Sequence, residues 1–455
     1  MHINRKNFGF KDNMRAIYWR FRYLIVLTTV LTLAACGNMS NPVIPNPEEP
    51  EIPEEPEPEK PPVPGLPMVT VMTIDSEAPT CEFVTAPDGC MGQSITNATK
   101  VGGRMTITQM GKTLYDSGDY EEDVSGMAIK IRGNSSAWKE KRAYKIKLQQ
   151  AVDLLDRGDD QTYADKEWLL INDETGQLNT MVGLKVSELL GLPWTPGFRF
   201  VNLTLNGDPQ GLYLLIESVK RKESRLNVSK SGYIVEFDPY WWNESVWFET
   251  LMTTSNDAKF TFKYPDDKTI VQEQIDSIRN FIDAFDDGLV NKNHFSEYID
   301  SASFGAWLLA QDILGNYDAH GSNVFFTKYD DTKNSKLMMG CLWDFDAIML
   351  TPDTWSNSHH LPYFARLISN STDRSVANAY CQLWEAVKDT LFIRLRDYLE
   401  AFVVSNEGYY YDMAIAADNK RWGRRYPKLR QLTNNVEAWF ESRKIWLETA
   451  IEDIK

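Results

Sequence analysis

From residue 68 onward, apolar residues recur first at a period of two and later at a period near 3.6, so strands are expected before helices. Val69, Val71 and Thr73 alternate with their neighbours, as do Met105, Ile107 and Gln109, and Met127, Ile129 and Ile131 against Ala128, Lys130 and Arg132. After the turn-forming run Gly133-Asn134-Ser135-Ser136, the spacing predicts a strand over 143–148. There Tyr144, Ile146 and Leu148 share one face, and Lys145 and Lys147 the other. Residues 178–190 read as a helix closed by Gly191 and stopped by Pro193. Two strands, 200–205 and 211–216, flank the hairpin signal Asn206-Gly207. Further strands are predicted at 233–237 and 260–264. Beyond Pro265 the pattern is helical at 271–286, 303–314, 375–403 with breaks, and 433–453, with one hairpin inserted near 323–344. The fold class is therefore α+β in two lobes, a β-rich one over about 68–264 and a helical one over about 265–455.

The first 67 residues follow neither period. Arg5, Lys6, Lys11, Arg15, Arg20 and Arg22 precede an apolar run over 23–35. A basic region and a short apolar stretch make a signal peptide over 1–35, too short for a stable span. The run ends Leu33-Ala34-Ala35-Cys36-Gly37, which resembles the lipobox of bacterial lipoproteins. That resemblance implies cleavage before Cys36 and acylation of its sulfur, a lipid anchor in the bacterial envelope facing the periplasm or the cell surface. Residues 41–67 hold eleven prolines and seven glutamates. Such a segment cannot bury enough apolar surface to fold, so 36–67 is expected to be a disordered, extended linker.

The formal charge of −16 becomes −21 once the leader's six positive and one negative charges are removed, which disfavours nucleic acid as a partner. Apolar residues at 43% are sufficient for a large core. Five cysteines exclude a disulfide-built scaffold. In an oxidising compartment Cys81 and Cys90 are a candidate disulfide, while Cys341 and Cys381 read as buried thiols.

Candidate chemistry concentrates at 314–346. A buried-looking helix ends at Gly315, a polar loop carries Asp318 and His320, and the inserted hairpin runs from Asn323 across a polar turn to Asp344 and Asp346. If Tyr329 pairs with Met338, the same register sets Asn323 opposite Asp344, roughly 5 Å apart. Those side chains offer hard oxygen ligands suited to Mg²⁺ or Mn²⁺. Asp318 and Asn323 have the Asp-x-x-x-x-Asn spacing of the protein-kinase catalytic loop, whose Asp receives the hydroxyl proton and whose Asn holds metal. On spacing alone, Asp318 and Asn323 read equally well as turn formers and Asp344 as a solvated strand end.

Several runs in order resemble the CotH spore-coat kinase family. The opening run 127–136 with 143–148, the central strand 211–217, the element Trp343-Asp344-Phe345-Asp346, and the closing helix with Trp439, Arg443 and Trp446 carry the resemblance. It implies an atypical protein-kinase-like fold over 68–455 that uses ATP and Mg²⁺ or Mn²⁺ to phosphorylate Ser or Thr. Carried over by residue, it makes Asp318 the catalytic base and Asn323 and Asp344 the metal ligands, with Asp346 a second candidate. Lys145 or Lys147 would contact phosphate, Arg132 with Gly133, Asn134 and Ser135 would add donors, and Glu217 would pair the lysine or sit by the base. The sequence departs from the family pattern at Cys341, where a Pro is usual, at Ile348-Met349 in place of Phe-Gly, and at Leu178, where an Arg is expected.

Two functions follow. One is an envelope phosphotransferase that takes a nucleotide and an unassigned protein acceptor. The other is a kinase-fold module, weak or inactive in catalysis, that holds surface protein or glycan. Trp241, Trp242 and Trp247 suit either a sugar platform or packing between lobes, His359-His360 reads as a surface loop, and the acidic run 153–165 as a solvated loop.

Overall fold

The structure, a computed structural model, describes residues 65–455 except 91, 173–177, 252–257, 293, 320, 322, 350–355 and 361. The leader, Cys36, His320 and nearly all of the linker lie outside the described residues. The linker's expected end at 67 moves back: Leu66 is buried, the Gly65 carbonyl accepts from Gln109 Nε2 at 2.9 Å, and the Pro67 carbonyl accepts from Asn202 N–H. Among the described residues no helix is long and apolar enough to cross a membrane.

The strands in chain order are β1 (Met68–Thr73), β2 (Glu82–Thr85), β3 (Gln93–Thr96), β4 (Val101–Gln109), β5 (Lys112–Asp116), β6 (Met127–Arg132), β7 (Ala143–Val152), β8 (Asp165–Ile171), β9 (Phe198–Leu205), β10 (Asp208–Glu217), β11 (Tyr233–Asp238), β12 (Trp247–Phe248), β13 (Lys259–Tyr264), β14 (Val324–Lys328) and β15 (Leu337–Met339). The helices are α1 (Asp160–Tyr163), α2 (Leu178–Leu189), α3 (Gln272–Asp287), α4 (Ser301–Leu314), α5 (Asn357–His360), α6 (Pro362–Ser369), α7 (Ser375–Val387), α8 (Leu391–Val403), α9 (Asn406–Trp422) and α10 (Leu429–Glu452).

The large sheet runs β1-β9-β10-β8-β7-β6-β4-β5, and β4 also pairs with β1, so the sheet closes on itself. The period-two pattern is satisfied by that closure. Val69, Val71, Met105, Ile107, Ile129, Ile131, Ile146 and Trp168 fill the interior, leaving Lys130, Arg132, Lys145 and Lys147 on the outer face. Asn206 and Gly207, both at positive φ (51° and 78°), make the tight β9–β10 turn that their sequence signals. Leu169, Leu212, Leu214 and Ile216 point outward from the same sheet and join the larger helical core. Helix α2 is buried on nearly every side within that core.

The second sheet runs β12-β13-β11-β14-β15. Residues 233–264, expected in the first lobe, thus pair with the inserted hairpin, Val235 opposite Phe326. A hydrophobic period marks a strand but not its partner, so the expected boundary at 264/265 falls inside one sheet. The acidic run 153–165 also differs from expectation: Asp153 and Asp165 are buried, paired to Arg157 at 2.9 Å and Lys220 at 3.1 Å. Cys81 and Cys90 are free thiols. Glu82 pairs with Thr96 and Thr85 with Gln93, which puts Cys81 at the base of the β2–β3 ribbon and Cys90 at its tip. Four strand residues at about 3.3 Å each separate them, beyond the reach of a disulfide. Cys341 and Cys381 are buried thiols.

Candidate active site

Helix α4 fixes the position of everything else. Phe304, Trp307, Leu308 and Leu314 are fully buried, and the Asp300 side chain caps the helix by accepting from Ser303 N–H at 2.7 Å. It ends on Gly315 (φ 56°), where a Cβ would lie 2.9 Å from the Trp439 ring. Buried Arg443 of α10 donates from Nε to the Asp312 carbonyl at 2.7 Å, with its guanidinium 4.4 Å from the Trp446 ring centre. A cation thus meets the negative end of the helix dipole. The Asp312 carboxylate accepts from Asn357 N–H at 2.6 Å and from the Tyr380 hydroxyl at 3.0 Å. The closing helix is tied in this way to the end of α4.

The next residues carry the candidate chemistry. Asn316 Oδ1 accepts from Asp318 N–H at 3.2 Å, while its Nδ2 donates to Gln311 Oε1 at 2.9 Å and to the Asp344 carbonyl at 3.4 Å. Tyr317 N–H donates to the Ala347 carbonyl and Met349 N–H to the Leu314 carbonyl. These bonds lay residues 344–349 along the end of α4, beside the loop of Asp318. From the other side, Asn179 of α2 donates to the Phe345 carbonyl at 3.3 Å. A Cβ on Gly183 would sit 2.1 Å from the Phe345 ring, so glycine here lets the ring lie directly against the helix.

Asn323 and Asp344 meet, but not by the expected register. The hairpin pairs Thr327 with Met338 and Lys328 with Leu337, two residues away from the anticipated alignment. Lys328 Nζ folds into the turn and donates to the carbonyls of Asp330 and Thr332, which sets the turn's length. The two side chains converge because the backbone leaves the ladder after Met339 and because both residues adopt left-handed conformations, φ 64° and 60°. Asn323 Nδ2 lies 3.4 Å from Asp344 Oδ2. Glu236 of β11, a residue the sequence reading passed over, accepts from Asn323 N–H at 2.9 Å and pairs with Lys263 at 2.6 Å.

Solvent reaches Asp344, yet it stands in a recess crowded with protein atoms. That desolvation, then the charge of Asp318, hold its carboxyl above the usual range, against Asp346 N–H, Arg132 and Lys139. Asp318 is exposed. Asp346 lies 3.8 Å from Lys139. Arg132 is half-buried; desolvation lowers its pKa, and Asp344, Glu236 and Asp346 oppose that.

A small cleft, open to solvent, is lined by Arg132, Ser136, Thr180, Trp343, Asp344 and Asp346. Gly133 (φ 107°) makes the turn at its rim, where a Cβ would collide with Ser136 Oγ. Asn134 instead accepts from Ser94 Oγ at 2.8 Å. The backbone of Ser135 begins a short 3₁₀ turn. Lys145 sits two residues along β7 from Ala143, which lines the cleft, and pairs with Glu167 at 3.0 Å. Lys147 is exposed and a further two residues away.

Glu217 is not the lysine's partner. It lies on the opposite face of the sheet, paired with Arg157 at 3.0 Å and Arg225 at 3.4 Å, because its register partner Trp168 points into the barrel. Glu167, one position before Trp168, occupies the lysine face. The Trp241 and Trp247 rings stand 4.7 Å apart, with Lys259 Nζ 3.7 Å and 4.1 Å from their centres.

Among the described residues no three His, Cys, Asp or Glu side chains converge closely enough to hold an ion by themselves. Mg²⁺ usually takes only one or two carboxylates and completes its shell with water and phosphate oxygens. One Asn amide, the Asp344 carboxylate and an adjacent Asp346 are hard donors of that kind. The donor set therefore fits a divalent cation bound together with a phosphate ligand.

A mixed α+β fold thus brings an acidic hairpin mouth and a basic strand face beside one cleft. The family model described as CotH kinase protein matches residues 129–402, and the chain belongs to that family. Among solved structures it is similar to the Helicobacter pylori proinflammatory kinase CtkA, with 11% identity over 67% of this chain and 95% of that one and a TM-score of 0.30. It is also similar to a chain of the Shewanella oneidensis MR-1 toxin–antitoxin complex of HipA, HipB and operator DNA, with 13% identity over 63% of this chain and 60% of that one and a TM-score of 0.25. No curated protein matches the chain.

Proposed function

We propose that the chain is an envelope phosphotransferase that moves the γ-phosphoryl group of ATP to a Ser or Thr hydroxyl of an envelope or secreted protein, held to the membrane through acylated Cys36. The observation that carries the proposal is the approach of Asn323 to Asp344 at 3.4 Å, beside Asp318 and at the mouth of the cleft that Arg132 lines.

In this reading Asp318, exposed and fixed through its N–H by Asn316, takes the proton of the attacking hydroxyl. The hydroxyl oxygen bonds to the γ-phosphorus as the bond to the β,γ-bridging oxygen breaks, and ADP departs with that electron pair. Asn323, Asp344 and Asp346 would hold Mg²⁺ or Mn²⁺, whose charge offsets that of the phosphates. Arg132 and the Gly133–Ser135 backbone orient the phosphate chain, and Lys145 reaches it along β7 while Glu167 keeps the lysine extended.

The test measures stabilisation of the full chain by ATP with Mg²⁺ or Mn²⁺, and labelled phosphate transfer, in wild type and Asp344→Ala. Nucleotide at a hundred times Kd stabilises by about 2.7 kcal/mol. The expected result is metal-dependent stabilisation in wild type and none in Asp344→Ala. No shift with any nucleotide, together with affinity for a polysaccharide, supports the binding-module function instead.

A further inference from the structure

Asn323 presents a puzzle of local structure. A non-glycine residue at φ 64° is held there only when its surroundings fix it, and its side chain has to stay beside Asp344. The flanking ladder does not supply the restraint, because β14 begins at Val324 and its partner β15 stops at Met339. The restraint comes from the neighbouring strand. Glu236 on β11 is buried, and its Oε1 accepts from Asn323 N–H at 2.9 Å. The other oxygen, Oε2, is anchored by Lys263 of β13 at 2.6 Å, so the carboxylate cannot swing away. The β-ladder sets this up: Glu236 lies opposite Phe325 on one side and Thr261 on the other, at the centre of the second sheet.

We propose that Glu236 is a positioning residue for the cation site, holding Asn323 in its left-handed conformation by the hydrogen bond to its N–H. This rests on the phosphotransferase reading, in which Asn323 and Asp344 hold the metal. Lys263 serves the same end by fixing the carboxylate. A loop held by the protein's own contacts is preorganised, so binding energy is not spent in ordering it.

Two variants test the restraint. Glu236→Asp withdraws the carboxylate by one methylene, and Glu236→Gln sets an amide NH₂ against the Lys263 ammonium, donor facing donor, so each loosens the acceptor of the Asn323 N–H. Mn²⁺ affinity of the full chain is measured without nucleotide, together with the amide-proton shift of Asn323. Outer partners of metal ligands typically contribute about 10–100-fold in affinity, and both variants are expected to lose at least the lower end of that range while the Asn323 amide proton moves upfield. Wild-type affinity in either variant, or a loss of affinity with the Asn323 amide proton unmoved, overturns the positioning role and leaves the phosphotransferase reading standing. Absence of Mn²⁺ binding by wild type overturns both.

Discussion

Gly183 offers a sharp test of how the cleft is assembled, because helix propensity and packing pull in opposite directions there. It lies inside α2, buried, where alanine is favoured over glycine by about 1 kcal/mol. Against that gain, a Cβ would fall 2.1 Å and 2.2 Å from two carbons of the Phe345 ring. Ordinary contact begins at 3.4 Å, so the ring would retreat by about 1.3 Å (3.4 − 2.1). Overpacking of this kind costs about 1–3 kcal/mol, leaving Gly183→Ala destabilised by about 0–2 kcal/mol overall. Function is expected to suffer more than stability. Phe345 separates Asp344 from Asp346 and its carbonyl is held by Asn179, so a shift of the ring displaces both carboxylates. A misplacement of about 1 Å can cost about 100-fold in rate. Urea denaturation and metal-dependent phosphate transfer, measured on Gly183→Ala and on Gly183→Ala/Phe345→Leu, separate the two effects. The smaller Leu is expected to recover part of the lost activity. Undiminished activity in the single variant would refute the claim that α2 positions the carboxylates through Phe345.

Two further perturbations probe the scaffold. Lys141 and Asp418 form a fully buried ion pair joining the β6–β7 connection to α9, with Lys141 Nζ also donating to the Leu212 carbonyl at 2.6 Å and Asp418 accepting from Leu212 N–H at 3.0 Å. Lys141→Met strands a buried carboxylate and is expected to cost about 3–5 kcal/mol in urea denaturation, with much of it restored in Lys141→Met/Asp418→Leu; equal stability of both variants would remove the pair from the account. Burial of Asp373 would raise its carboxyl, but hydrogen bonds from Ser375 and from the Ser296 and Phe295 N–H groups outweigh burial and bring it down to about 2. A pKa depressed on folding adds stability above the unfolded value and loses it as pH falls through the folded one, so stability should decline by about 1–2 kcal/mol between about pH 4 and pH 2. Asp373→Asn should flatten that part of the pH–stability curve, and an unchanged slope would contradict the assignment.

The strand at 127–132, the first six residues of the strand at 143–152, and within one or two residues the helices at 178–189, 272–287 and 301–314 were legible because each carries one periodicity over a sufficient length. Helix α9 was not, since Gly408 lies in its first turn and its tyrosines fit no single stripe; it is capped by Ser405, and Gly408 leaves room for the Phe402 carbonyl that a Cβ would strike. Strand β8 hid behind the acids of 153–165, where Asp153 pairs locally with Arg157 but the pairing of Asp165 with Lys220 and Arg225 depends on a chain segment far away. Glu217 drew attention at the end of an apolar strand, but which face a terminal residue takes depends on its register partner. That partner, Trp168, turns it away from Lys145.

Alternation and period are properties of neighbouring residues, so the chain's own order was enough to establish strands before helices, the tight turn at Asn206-Gly207, and the loop and hairpin carrying Asp318, Asn323 and Asp344. Closure of the barrel through β1 and β4, the joining of β11 to β14, and the pairing of Glu236 with Asn323 depended instead on contacts between residues remote in sequence. Such contacts form only where competing partners have been excluded by packing, and no local pattern of side chains records which partner prevails.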